Sequence, residues 1–112
     1  MGVSTHVLDA ATGRPAAGVD VRLEYADGDT YTEIGRGRTD ADGRVRAWAS
    51  GGEVTRPGTY RLVFATGAYF AAHDVAAFYP EVAIAFTVAI PDEPHHVPLL
   101  LSPYAYSTYR GS

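Results

Sequence analysis

The sequence predicts an all-β fold, a small antiparallel β-sandwich with Greek-key connections, about eight short strands and one short helix. Three observations predict it. Apolar and polar residues alternate at period two in segment after segment, as half-buried strands require. Clusters of Gly, Pro and Asp separate these segments at 11–15 (ATGRP), 26–29 (ADGD), 40–43 (DADG), 50–52 (SGG), 56–58 (RPG), 90–94 (IPDEP) and 101–103 (LSP), where tight turns need such residues. Only one segment repeats at three and four residues instead.

Taken in order, residues 3–8 (VSTHVL) place Val3, Thr5 and Val7 on one face, and Ser4, His6 and Leu8 on the other. The cleanest alternation is in 19–25 (VDVRLEY), with Val19, Val21, Leu23 and Tyr25 inward and Asp20, Arg22 and Glu24 in water. Residues 31–39 (YTEIGRGRT) and 44–48 (RVRAW) are weaker strands, and 59–66 (TYRLVFAT) is a strong one. The helical segment is 67–80 (GAYFAAHDVAAFYP): Tyr69, Phe70, His73, Ala76 and Ala77 recur at helical spacing, and Pro80 follows its end. Residues 81–90 (EVAIAFTVAI) turn Val82, Ile84, Phe86, Val88 and Ile90 inward; mostly alanine lies opposite, so that second face is expected to be covered as well. In 95–101 (HHVPLLL), Val97, Leu99 and Leu101 point inward with His95, leaving His96, Pro98 and Leu100 outward, and 104–109 (YAYSTY) closes the set.

The 112 residues are read as one domain, 1–112, with no repeat or linker. With 46% apolar and 20% charged residues, the composition is that of a soluble globular chain. A net charge of −4 and nine dispersed arginines, with no lysine, argue against a nucleic-acid footprint. No apolar run is long enough to span a bilayer, and the start lacks the pattern of a secretory signal, so a cytoplasmic location is expected. The absence of cysteine excludes disulfides, thiolate metal sites and a cysteine nucleophile. Chemistry must then use His, Arg, Ser, Thr, Tyr or a carboxylate.

Two outward imidazoles, His6 and His96, stand beside outward leucines. Apolar residues on an outer sheet face mark an interface, and the inside of a sandwich about 10 Å thick is filled by its own side chains. A ligand pocket is therefore more easily built between subunits than within one.

STHVLDAATGRPAAG near the start, GRTDADGR in the middle, TGAYF, FYPEV, and HHVPLLLSPYAYSTYRGS at the end together resemble the 5-hydroxyisourate hydrolase family, the transthyretin-related enzymes of purine breakdown. The resemblance spans nearly the whole chain, and the closing YRGS is its most specific element. It implies a transthyretin-like sandwich assembled as a homotetramer, a dimer of dimers, with each active site shared across a subunit interface. It also implies a catalytic group of His6, Arg44, His96 and Ser112, with Arg44, Tyr109, Arg110 and Ser112 contacting substrate, and no cofactor or metal. In one respect the chain departs from the family, which often reads His-Tyr-His before VPLLLSP. Here the run is Pro94-His95-His96, so the second histidine is kept and the first is proline.

The substrate that the resemblance implies is a small planar bicycle whose six-membered ring water opens at an amide-like carbonyl. Water must lose a proton, the carbonyl oxygen must be stabilised, and the departing nitrogen must be protonated. A neutral imidazole suits the first task because its ordinary pKa of about 6.5 lies near working pH, and either His6 or His96 can supply it. Arg44 offers a permanently charged fork of donors to carbonyl oxygens, as clamp and oxyanion partner; Arg36, Arg38 and Arg46 are rivals that parity does not separate from it. Ser112 lacks the elbow and base of a nucleophilic serine, so it is expected to position water or substrate, with its carboxylate tuning a histidine. Gly111 is expected to supply a backbone φ that other residues resist.

Competing readings exist for each residue. His6 alone reads as an interface histidine, and His95–His96 as two-thirds of a zinc site with no third ligand at suitable spacing. His73 reads as structural, and Tyr104, Tyr106 and Tyr109 as strand and interface aromatics. At the level of function, the alternatives to a hydrolase are a transthyretin-type carrier of a small aromatic ligand and a sandwich used only for protein contacts. A carrier needs an apolar channel, whereas His6, Arg44, His96 and the YRGS end are polar and titratable.

Overall fold

A computed structural model describes residues 2–49 and 51–112; Ser50 of the expected 50–52 turn lies outside the described residues. The elements are β1 (Gly2–Asp9), β2 (Arg14–Pro15), β3 (Asp20–Asp27), β4 (Thr30–Arg38), β5 (Arg44–Val45), β6 (Gly58–Phe64), α1 (Thr66–Ala72), β7 (Val82–Val88), β8 (Pro94–Leu101) and β9 (Tyr106–Thr108). They form two sheets. One runs β2-β1-β8-β9, with β5 also paired to β1; the other runs β4-β3-β6-β7.

The alternation of β1 explains its place. Val3, Thr5, Val7 and Asp9 are buried while Ser4, His6 and Leu8 are half-buried on the other side. In β8, His95, Val97, Leu99 and Leu101 are likewise buried. These inner faces meet Val21, Leu23, Leu62, Phe64 and Val82 of the second sheet in one apolar core. Each large side chain fully withdrawn from water there contributes roughly 1.5–3 kcal/mol. Pro98, on the outward face of β8, is buried as well.

Four details differ from the sequence reading. First, the sandwich is not wholly antiparallel: β1 and β8 run parallel from Gly2↔Pro94 to Asp9↔Leu101. Strands so far apart in sequence meet through the long Greek-key path, and no local signal records their relative direction. Second, Glu24 is buried rather than wet. The β3–β4 register shifts between Leu23 and Glu24, and the carboxylate is held by Arg61 at 2.7 Å and Arg22 at 3.4 Å.

Third, the helix covers only the first part of the expected 67–80 segment. The chain reverses at Asp74, a left-handed residue (φ 57), and comes back so that Gly67 N–H donates to the Pro80 carbonyl at 3.0 Å. Tyr69 and Phe70 are buried, while His73 is exposed and its Nδ1–H donates to the Tyr69 carbonyl at 2.8 Å. Fourth, the alanine face of β7 is open: Ala83 and Ala85 are exposed, and Ile90, expected inward, is 52% exposed beyond the strand's end.

One buried polar contact ties α1 to β1. Tyr69 O–H donates to Asp9 Oδ2 at 2.9 Å, while Oδ1 accepts from the backbone of Ala11 at 3.0 Å and Thr12 at 3.2 Å. Burial, helped by this neighbouring carboxylate, pushes the Tyr69 phenol up to about 12. It is therefore a permanent donor that fastens the end of β1 and the turn after it.

Candidate active site

The outward face of the β1–β8 sheet carries the site. In the parallel register Ser4 lies beside His96 and His6 beside Pro98. Across the other edge of β1, His6 pairs directly with Arg44 of β5. Residues opposed in this way send side chains to the same face, so Arg44 and His6 stand side by side and His96 lies on that face two positions along, opposite Ser4. Neighbouring strands are about 4.8 Å apart, which sets Arg44 beside His6, and the Arg44 charge is felt at His96 as well.

Arg44 is held at the end of a tight turn. Asp40 Oδ1 accepts from the backbone N–H of Asp42 at 2.9 Å and of Arg44 at 3.0 Å, and the Asp40 amide donates to the Arg44 carbonyl. These bonds hold the Asp40 carboxyl below its ordinary value, the Arg44 N–H contributing most. Position thus separates Arg44 from its rivals. Arg36 and Arg38 lie on β4 in the opposite sheet, paired with Glu33 at 2.6 Å and Asp20 at 3.7 Å. Arg46 reaches the same cavity as Arg44, but it sits 3.8 Å from Asp42 and is largely exposed. Among the described residues no ion pair uses the Arg44 guanidinium.

His96 is gripped from both sides. Its Nδ1 lies 2.9 Å from Ser4 Oγ on β1. On the other flank, the backbone continues the β8–β9 register through a bridge in which Gly111 N–H donates to the His96 carbonyl at 2.8 Å. A Cβ at position 111 would overlap His96 Cδ2 and stand 3.1 Å from Cγ. Gly111 is therefore required by space and not, as expected, by φ, since it is not among the glycines of positive φ. Nε2, the ring's other nitrogen, has no hydrogen-bond partner among the described residues. Burial, then the nearby Arg44 and His6, hold the His96 pKa below the ordinary histidine value, against a hydrogen bond that the ring donates to the Ser4 backbone, which raises it. That lowering favours the neutral ring at pH 7. The expected tuning by the Ser112 carboxylate is not among these causes.

An open cavity of about 400 Å³ lies against this face, lined by Ser4, Arg44, Arg46, Pro94, His96, Gly111 and Ser112, among others. Pro94 takes a place on its wall. Tyr109 and Arg110 line a second, smaller groove of about 290 Å³ with Ile84, Phe86, His95 and Val97, and His96 borders both this groove and the cavity. Arg110 is 4.0 Å from Glu93, both exposed. His95 faces the core, 5% exposed, and its Nδ1 has no hydrogen-bond partner. Among the described residues no three His, Asp or Glu side chains gather as a metal site would need, and no helix is long and apolar enough to cross a membrane.

Ser4 is the cavity residue that the sequence reading passed over. Parity placed it on the face of His6, but nothing local pairs residue 4 with residue 96. The chemistry available on this face is clear: a neutral imidazole with one free nitrogen, a second imidazole, and a cation without a carboxylate partner among the described residues.

Known proteins are similar to this chain over nearly its whole length. A protein from Caulobacter vibrioides named 5-hydroxyisourate hydrolase is 50% identical over 115 residues, covering 99% of this chain and 98% of its own. The solved structure of Klebsiella pneumoniae 5-hydroxyisourate hydrolase superposes with a TM-score of 0.85 at 34% identity, over 100% of both chains. Sea bream transthyretin in complex with thyroxine superposes with a TM-score of 0.88 at 29% identity, over 99% of this chain and 95% of that one. The model of the HIUase/Transthyretin family matches residues 3–111, and the chain belongs to that family.

Proposed function

We propose that this chain is a cytoplasmic enzyme that hydrolyses 5-hydroxyisourate to 2-oxo-4-hydroxy-4-carboxy-5-ureidoimidazoline, a step of urate breakdown. The observation that carries this is that His96, its pKa held below the ordinary value, lines one cavity together with Arg44. Relatives named for this hydrolysis, at 50% identity in one case, support the same conclusion.

The reaction adds one water and breaks one ring C–N bond. Neutral His96, through Nε2, takes a proton from water as its oxygen attacks the ring carbonyl. The oxygen of that carbonyl gains negative charge, and the Arg44 guanidinium donates to it. When the C–N bond breaks, the departing nitrogen takes a proton from the imidazolium just formed or from His6. Ser112, in the cavity wall beside Gly111, orients water or substrate by hydrogen bonding. Holding these groups before reaction removes much of the entropic and reorganisation cost of bringing them together.

In this reading the working form is a homotetramer, a dimer of dimers. The cavity is open on its outer side in the single chain, and half-buried Leu8 and Leu100 lie on the same face as the site. Stacking that face against a second copy would cover both. Tyr109 and Arg110 remain substrate-binding residues in this proposal, contributed across an interface, because within one chain they line a groove that His96 borders but Arg44 and Ser112 do not. The likeness to a thyroxine-bound transthyretin favours a carrier as the second reading, but an arginine and a neutral histidine in the cavity suit hydrolysis better than an apolar ligand.

The test generates 5-hydroxyisourate with urate oxidase and follows its ultraviolet absorbance with and without the protein. Accelerated decay, slowed by His96→Asn, is expected. Equal decay rates with and without the protein would overturn the hydrolase reading.

A further inference from the structure

Proton removal by His96 requires an unprotonated Nε2 aimed into the cavity, and the groups named so far do not enforce it. A neutral imidazole carries its one proton on either nitrogen, and the partner of the other nitrogen decides which. The only side-chain partner of His96 among the described residues is Ser4, whose Oγ lies 2.9 Å from Nδ1.

We propose that Ser4 is a positioning residue for His96: its Oγ accepts the Nδ1–H and so keeps Nε2 as the bare nitrogen that faces the cavity. The proposal rests on the hydrolase reading for its catalytic meaning. Its geometry stands on the register of two strands. Ser4 and His96 are direct partners in the parallel β1–β8 pair, so the hydroxyl reaches the ring from the neighbouring strand without a long side chain to order. Gly111 closes against the opposite edge, at Cδ2. The ring is thus flanked by the Ser4 hydroxyl at Nδ1 and by the Gly111 backbone at Cδ2.

A hydroxyl can donate as well as accept, and Arg44 decides between the two. Its guanidinium lines the same cavity as His96. With Nε2 bare, a lone pair faces that positive charge; with Nε2 protonated, an N–H dipole would point its positive end at it. The first tautomer is electrostatically favoured, and it is the one in which Ser4 accepts. Threonine offers the same oxygen, and alanine removes it.

The experiment uses the full chain labelled with ¹⁵N. Imidazole nitrogen spectra at pH 7.5 report the tautomer of each of the four histidines, and His96→Asn identifies the signal of His96. The wild type is expected to show His96 protonated at Nδ1 with Nε2 bare. Ser4→Ala is expected to give a mixed tautomer and a kcat about 10- to 100-fold lower with KM little changed, as loss of an orienting partner of a functional histidine does. Ser4→Thr should restore both. A wild-type His96 protonated at Nε2, or Ser4→Ala with unchanged kcat and tautomer, would overturn the proposal. Should the wild type not consume 5-hydroxyisourate, the hydrolase reading fails, while the tautomer still decides the Ser4–His96 relation.

Discussion

Replacing Gly111 by alanine perturbs the site by a single methyl group whose effect follows from distances. A Cβ at 111 overlaps His96 Cδ2 and lies 3.1 Å from Cγ and 3.3 Å from the histidine Cβ. Carbon atoms in good contact lie about 3.5–4.0 Å apart, so ring and chain must separate by roughly 1 Å. A shift of that size in a reacting group costs up to about 100-fold in rate, and crowding of this kind costs about 1–3 kcal/mol in stability. Gly111→Ala should therefore lower kcat/KM for 5-hydroxyisourate by about 10- to 100-fold while the protein stays folded. Gly28→Ala is the control. Gly28 has a φ of +63 and no atom within 4 Å of its missing Cβ, so alanine there strains a hairpin far from the site. It should cost about 1 kcal/mol and leave the rate alone. The assay is initial-rate absorbance decay, with thermal melts on both variants. A Gly111→Ala protein as fast as the wild type would refute the claim that this contact seats the ring.

Other perturbations separate the remaining causes. Because burial, Arg44 and His6 depress His96, the acid limb of kcat/KM should lie below about pH 6.5; Arg44→Gln should move it upward while lowering the rate, and Arg44→Lys should leave it nearly in place. An unmoved limb in Arg44→Gln would deny that the two groups interact. The same depression affects stability: the unfolded chain protonates first as pH falls through about 6.5, so this contribution is intact above that value and declines below it. Denaturant titrations from pH 8 to 5 should show a shallower fall in His96→Gln than in the wild type, and an identical fall would contradict the assignment. Tyr69→Phe removes the O–H that Asp9 Oδ2 accepts and should cost about 1–3 kcal/mol, read as a lower Tm; an unchanged Tm would show that the contact does not fasten α1 to β1.

The parts legible in the sequence were those governed by parity. Alternation in 3–8 and 95–101 put His6 and His96 outward before any strand was paired, and the burial of Val3, Val7, Leu99 and Leu101 agrees. Pairing itself was not legible. Parity alone left Arg44 one of several arginines, singled out by the family resemblance, until β5 met β1 at His6↔Arg44, and Ser4 was a serine on a strand until β8 arrived beside it. These are contacts of high sequence separation, made by the path of the chain and not by local preference. The buried Glu24 escaped for the same reason: Arg61, its closest partner, comes from another strand. Gly111 was singled out correctly but for the wrong cause, because excluded volume against a residue 15 positions earlier leaves no mark on the residues around it.

The most direct measurement is a crystal structure of the assembled protein with a non-hydrolysable purine analogue. The account predicts the ring system on the outward face of β1 and β8, a carbonyl oxygen on the Arg44 guanidinium and His96 Nε2 within hydrogen-bond distance of the position where water attacks. An analogue bound only in the groove beside Tyr109 and Arg110, out of reach of Arg44, would contradict it.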